Sequence, residues 1–129
     1  MLHDIIYLMT QKILIVDEDK SLARALELKL THEGLDAKAV FNGGEAIAVL
    51  KTENYDLVLL DLVMPQEDGF KVLQDIQDLG LKAAVIVSSN LSQEEDISRA
   101  KTLGAIDYFV KSDTTLADIV RKVKDYLVQ

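Results

Sequence analysis

The chain contains no cysteine. That excludes disulfides, thiolate metal sites and a cysteine nucleophile, and it fits a reducing, cytoplasmic compartment. Basic residues are in the minority: 14 Lys and Arg stand against 22 Asp and Glu, for a net charge of −8. This balance argues against nucleic-acid binding, which needs a basic face, and against anionic membrane surfaces. No apolar run reaches the length of a membrane span. Residues 1–10 are apolar-rich but lack a basic n-region and a small-residue cleavage site. They read as a short N-terminal extension resting on the domain, not as a signal peptide. Repeats, low-complexity segments and long linkers are also missing. The remainder has ordinary globular composition, 49% hydrophobic and 28% charged over 129 residues. That is enough for one domain with a real core and too short for two, so residues 11–129 form the single predicted domain.

Proline occurs once, at Pro65. It follows an apolar run, Leu57-Val58-Leu59-Leu60, that ends in Asp61. The run is continuous rather than alternating, as in a strand buried on both faces. Pro65 cannot extend a central strand, so the chain turns away there. Further strands are predicted at residues 13–16, 37–41, 83–87 and 106–110. Between them, helical spacing is predicted for residues 21–31, 45–53, 67–78 and 92–103, with a last helix beyond Asp113 or Thr114 as cap. Ser92 with Glu95 has the spacing of a capping box. Gly34, Gly80 and Gly104 follow helices as stop signals. Five strands alternating with five helices predict a doubly wound α/β fold with a parallel sheet covered on both faces. Ligands of such sheets bind outside the carboxyl ends of the strands.

The strand ends carry Asp17, Glu18 and Asp19, then Asp61, then Ser88 and Ser89, then Lys111. Any one of these alone would be an ordinary solvated loop residue. Their joint sorting into acids, hydroxyls and a lysine at one edge is not what unrelated loops produce. Clustered carboxylates repel unless a cation joins them. An oxygen-only set suits magnesium, and a lysine there offers a point charge to a phosphoryl group. A carboxylate can attack phosphorus to form an aspartyl phosphate, with Lys111 and the metal offsetting the charge.

These residues lie in motifs that resemble a response-regulator receiver domain of two-component signalling. The motifs are Ile13-Leu14-Ile15-Val16-Asp17-Glu18-Asp19, Asp61-Leu62-Val63-Met64-Pro65 with Asp68-Gly69, Val85-Ile86-Val87-Ser88-Ser89, and Gly104-Ala105-Ile106-Asp107-Tyr108-Phe109-Val110-Lys111. Four motifs in order, each at a strand end, are specific. The resemblance covers residues 11–129 and implies a flavodoxin-like sheet of order 2-1-3-4-5. It implies Asp61 as phosphoacceptor, and Mg2+ held by Glu18 directly, Asp17 through water, Asp61 and the backbone carbonyl of Val63. Ser89 takes the place of the switch hydroxyl, Tyr108 that of the rotating aromatic and Lys111 that of the phosphoryl-contacting lysine. Implied partners are a histidine kinase or histidine phosphotransfer protein and a downstream protein effector. A homodimer through the fourth helix, fifth strand and fifth helix is a further assembly it allows. His3 and His32 read as surface residues, and Ser88 as structural.

Three departures from the family pattern stand out. Glu18 occupies a position more often Asp, Asn90 one that is more often small, and Ser112 one that is usually a cis proline. A cis bond before a non-proline residue costs about 2.5–4 kcal/mol, so Lys111–Ser112 is expected to be trans. The alternative function is a phosphorylation-independent interaction domain; the retained Asp61, Lys111 and acid pair weigh against it. A magnesium-dependent phosphatase would want a second carboxylate two residues after its nucleophile, where Val63 stands. A flavodoxin-like cofactor binder would need a phosphate loop where Asp17-Glu18-Asp19 repels phosphate. Signalling acceptance on Asp61, without enzymatic turnover of other substrates, is therefore the expectation.

Overall fold

The computed structural model describes residues 11–127. The expected N-terminal extension, residues 1–10 with His3, lies outside them. Strand β1 (Lys12–Val16) leads to α1 (Lys20–His32), β2 (Asp36–Val40), α2 (Gly43–Thr52) and β3 (Leu57–Leu60). A two-residue antiparallel ribbon, Val63–Met64 against Glu67–Asp68, separates β3 from α3 (Gly69–Asp78). Then come β4 (Ala84–Ser89), α4 (Glu94–Thr102), β5 (Ala105–Val110), a 3-10 turn at Lys111–Asp113 and α5 (Leu116–Leu127). The five long strands form one parallel sheet of order β2-β1-β3-β4-β5, as expected for a doubly wound, flavodoxin-like fold.

All four residues of β3 are buried, because helices cover both faces of the sheet. Leu14, Val58 and Val85 pack with α2, α3 and α4 through Leu50, Leu73 and Ala100. Ile13, Leu57 and Ile86 pack with α1 and α5 through Leu26, Leu30, Ile119 and Val123. The period-two alternation of the pleat divides neighbouring strand residues between these two cores. Among the described residues, no helix is long and apolar enough to cross a membrane.

Several element starts differ from those expected. Helix α3 begins at Gly69 rather than residue 67, because Glu67 and Asp68 pair with Met64 and Val63 in the ribbon. Asp68 then caps the helix by accepting from the Phe70 amide at 2.9 Å. Helix α2 begins at Gly43, because the Asn42 side chain accepts from the Glu45 amide at 2.8 Å and turns the expected loop into a cap. Ser92 is not the cap of α4. The N-cap is Gln93, whose backbone carbonyl accepts from Asp96 and Ile97, so Ser92 sits one residue too early. Likewise Thr115, not Asp113 or Thr114, starts α5: its hydroxyl accepts from the Asp118 amide and its carbonyl from Ile119. Strand β4 extends through Ser88 and Ser89, both of which pair with β5. Gly34, Gly80 and Gly104 do end helices, each with positive φ.

Candidate functional site

Asp61 is one residue beyond β3, and its amide donates to the Val16 carbonyl at 2.9 Å. This bond continues the β1–β3 ladder one step and sets the carboxylate beside the end of β1. Its Oδ1 accepts from the Val63 amide at 3.1 Å, a local turn that bends the chain out of the sheet. The chain then passes Pro65 and returns through the ribbon, and the Gly69 amide donates to the Leu62 carbonyl at 3.0 Å. A Cβ on Gly69 would lie 2.4 Å from Leu62 Cα and 2.7 Å from the Asp61 carbonyl oxygen. Only glycine lets α3 begin this close to the Asp61 backbone.

Lys111 follows β5 and reaches across the edge of the sheet. Its Nζ lies 2.6 Å from Asp17 Oδ2 and 3.4 Å from Asp61 Oδ2. Asp17 is held in turn: its amide donates to the Val40 carbonyl, and its Oδ1 accepts from the Asp19 amide at 2.9 Å. Asp19 is the N-cap of α1, accepting from Leu22 at 3.1 Å. Both Asp17 and Asp61 are buried, at 4% and 5% exposure. Burial pushes the Asp61 carboxyl above its ordinary range, and the charge of Asp17 adds to this. Lys111 and the Val63 amide pull the other way. Burial works against the Lys111 ammonium, but Asp17 and Asp61 outweigh it and hold its pKa above the ordinary lysine value.

The structure thus brings together Asp17, Asp61 and Lys111, residues far apart in the chain. Glu18 lies apart from them. It is exposed and lines a groove of about 420 Å³ with Phe41, Asn42, Glu45 and Met64. Among the described residues, no three His, Cys, Asp or Glu side chains are grouped to hold a metal ion. Two buried carboxylates sharing one ammonium still make an oxygen donor set of the kind and size magnesium takes, the remaining ligands being water and phosphate oxygens. In kind and number the donors fit that ion.

The hydroxyl and aromatic candidates converge on Leu91. Ser89 is fully buried, and its Oγ accepts from the Leu91 amide at 3.2 Å. The Tyr108 hydroxyl donates to the Leu91 carbonyl at 2.6 Å, so the half-buried ring is anchored to the loop after β4. Burial raises the Tyr108 pKa, opposed by the Ser89 hydroxyl and helped by Asp96 and Asp61. Ser88 is buried with an unpartnered hydroxyl and joins none of these contacts. His32 is exposed, as expected. The Lys111–Ser112 bond is trans, also as expected, and the lysine reaches both carboxylates from it. One contact was not foreseen. The Ser112 amide donates to Asn90 Oδ1 at 3.0 Å, which links two departures from the family pattern that look independent in the sequence.

A family model described as "Response regulator receiver domain" matches residues 13–124. The transcriptional regulatory protein DltR of Streptococcus agalactiae serotype III is 34% identical over 111 residues, covering 84% of this chain and 50% of that protein. Regulatory protein VanRc of Enterococcus gallinarum is 32% identical over 119 residues, covering 92% of this chain and 51% of that protein. The chain spans about half the length of these curated relatives. A two-component response regulator structure from Clostridium difficile superposes with a TM-score of 0.85 at 27% identity, covering 93% of this chain and 98% of that one.

Proposed function

The chain belongs to the response regulator receiver domain family of two-component signalling, and on that footing we propose that it takes up a phosphoryl group on Asp61. The observation that carries this is the Lys111 ammonium held against two buried carboxylates, Asp17 and Asp61. Oδ1 of Asp61 is engaged by the Val63 amide, whereas Oδ2 faces Lys111. Oδ2 is therefore the nucleophile. It forms the O–P bond as the N–P bond to a phosphohistidine on a kinase or phosphotransfer protein breaks. The imidazole leaves with the electron pair. Burial disfavours the free Asp61 charge, and the acyl phosphate carries still more, so its formation depends on cations that offset it. Lys111 moves from the carboxylates toward the phosphoryl oxygens, which carry more charge.

Bound Mg2+ would neutralise the phosphoryl oxygens. Asp17, Glu18, Asp61 and the Val63 carbonyl would hold it, with Glu18 turning in from its exposed position. Ser89 supplies a hydroxyl to the same oxygens. Its Oγ accepts from the Leu91 amide, so a swing of that hydroxyl toward a phosphoryl group at Asp61 would loosen the amide. Tyr108, bonded to the Leu91 carbonyl, then responds, and the surface of α4, β5 and α5 changes. Small electrostatic events of this kind bias a two-state element. The changed face engages a downstream protein or a second copy of the chain, so output is signalling and not turnover.

The test is incubation with acetyl phosphate and magnesium, followed by intact mass. The expected result is one phosphoryl adduct on the wild type and none on Asp61→Asn. An unmodified wild type, or an adduct that persists in Asp61→Asn, would contradict the assignment.

A further inference from the structure

Three consecutive residues at the exit of β4 grip three residues around Lys111. Ser89 pairs with Val110 in the sheet register. Asn90 Oδ1 accepts from the Ser112 amide at 3.0 Å. The Leu91 carbonyl accepts from the Tyr108 hydroxyl at 2.6 Å. Both chain neighbours of Lys111 are therefore fixed by the two residues Ser89 and Asn90. On its far side the lysine enters a 3-10 turn closed by Thr114, whose amide donates to the Lys111 carbonyl and whose hydroxyl donates to the Val110 carbonyl. Those bonds engage the Val110 and Lys111 carbonyls. The Ser112 amide instead crosses to a side chain 22 residues earlier.

We infer that Asn90 is a positioning residue for Lys111: its side chain holds the Ser112 amide and so aims the ammonium at Asp17 and Asp61. Asn90 and Ser112 are both exposed, so the bond competes with water and adds little to folding. Its consequence lies in geometry. Among the described residues the lysine backbone has no other hydrogen bond on its C-terminal side to the β4 exit, next to the strand that carries the switch hydroxyl. The bond also makes the aim of Lys111 depend on the conformation of residues 89–91, the loop that responds to phosphorylation. This inference rests on the proposed role of Lys111 in phosphoryl acceptance.

A double-mutant cycle tests it, with the rate of phosphoryl uptake from acetyl phosphate at saturating magnesium as readout. Asn90→Ala is expected to slow uptake about threefold, the size of one solvent-exposed hydrogen bond. In a Ser112→Pro background, which has no amide hydrogen to hold, Asn90→Ala is expected to change nothing further. Amide exchange at Ser112 is expected to accelerate in Asn90→Ala, while its urea midpoint stays at the wild-type value. Uptake that is unchanged or faster in Asn90→Ala overturns the inference, the faster case meaning that the side chain only obstructs access to Asp61. Equal slowing in both backgrounds also overturns it. Should Ser112→Pro fail to fold, unchanged exchange at the Ser112 amide in Asn90→Ala decides against it. A wild type that takes up no phosphoryl group sinks the proposed function itself, whereas a competent wild type with an indifferent Asn90→Ala sinks only the positioning role.

Discussion

Asp61 is a carboxylate kept where a carboxylate is poorly solvated. Its pKa is raised chiefly by burial, with Lys111 and the Val63 amide only partly compensating. A folded-state pKa above the unfolded value means that ionisation is easier in the unfolded chain. The associated stability is then complete below about pH 4, near the unfolded aspartate value, and is lost as pH rises through the higher folded value. Asparagine carries no such cost, and Asp17 at 2.6 Å keeps Lys111 paired. Asp61→Asn is therefore expected to match the wild type in urea midpoint near pH 4 and to exceed it at pH 7.5. A variant less stable than wild type at pH 7.5 would contradict this account of the site. At this scale Asp61, Asp17 and Lys111 were legible, because each ends an apolar run and its residue type is out of place there. The Asn90–Ser112 bond was not legible. A side chain meeting an amide across two loops leaves no periodicity in the sequence, and both residues are polar and exposed, as loop residues commonly are.

Elements were legible where burial dictates them, and less so where local hydrogen bonds do. The continuous apolar run from Leu57 to Leu60 reads as a strand buried on both faces, and it forms one. The start of α3 depended instead on Glu67 and Asp68 joining a two-residue ribbon, which no hydrophobic pattern announces. The register of β5 is a similar case. It shifts against β4 between Val85 and Ile86, pairing Val85 with Ala105 but Ile86 with Asp107. The extra residue, Ile106, lets Ala105 and Tyr108 pack toward the same core although they are three apart. Without the shift, alternation would turn the Tyr108 ring to the opposite face, away from Leu91. Gly69 is the sharpest constraint at this scale, since it seats α3 against the backbone of Asp61 and Leu62. Gly69→Ala must displace main chain rather than a flexible side chain. It is expected to cost about 3 kcal/mol in urea unfolding at pH 7. A loss below about 0.5 kcal/mol, the range of ordinary surface substitutions, would show that α3 can withdraw freely.

The whole molecule is a scaffold for one edge. Parallel strands put Asp17, Asp61, Ser89 and Lys111 at the same end of the sheet, and helices on both faces exclude water from everything beneath them. The alternation of apolar runs with amphipathic segments was enough to anticipate this, and the strand order followed from family resemblance. The placement of Glu18 needed three-dimensional information, since adjacency to Asp17 in sequence says nothing of where its longer side chain points. The match spans about half the length of the curated relatives. The phosphoryl group is expected to reside on one atom group, the Asp61 carboxylate. Borohydride reduces an acyl phosphate to an alcohol, converting a phosphorylated aspartate to homoserine. Treatment of the phosphorylated chain followed by peptide mass mapping is expected to find homoserine at position 61, with Asp17 and Glu18 unreduced. Reduction at Asp17 or Glu18, or a stable adduct that borohydride leaves untouched, would contradict it.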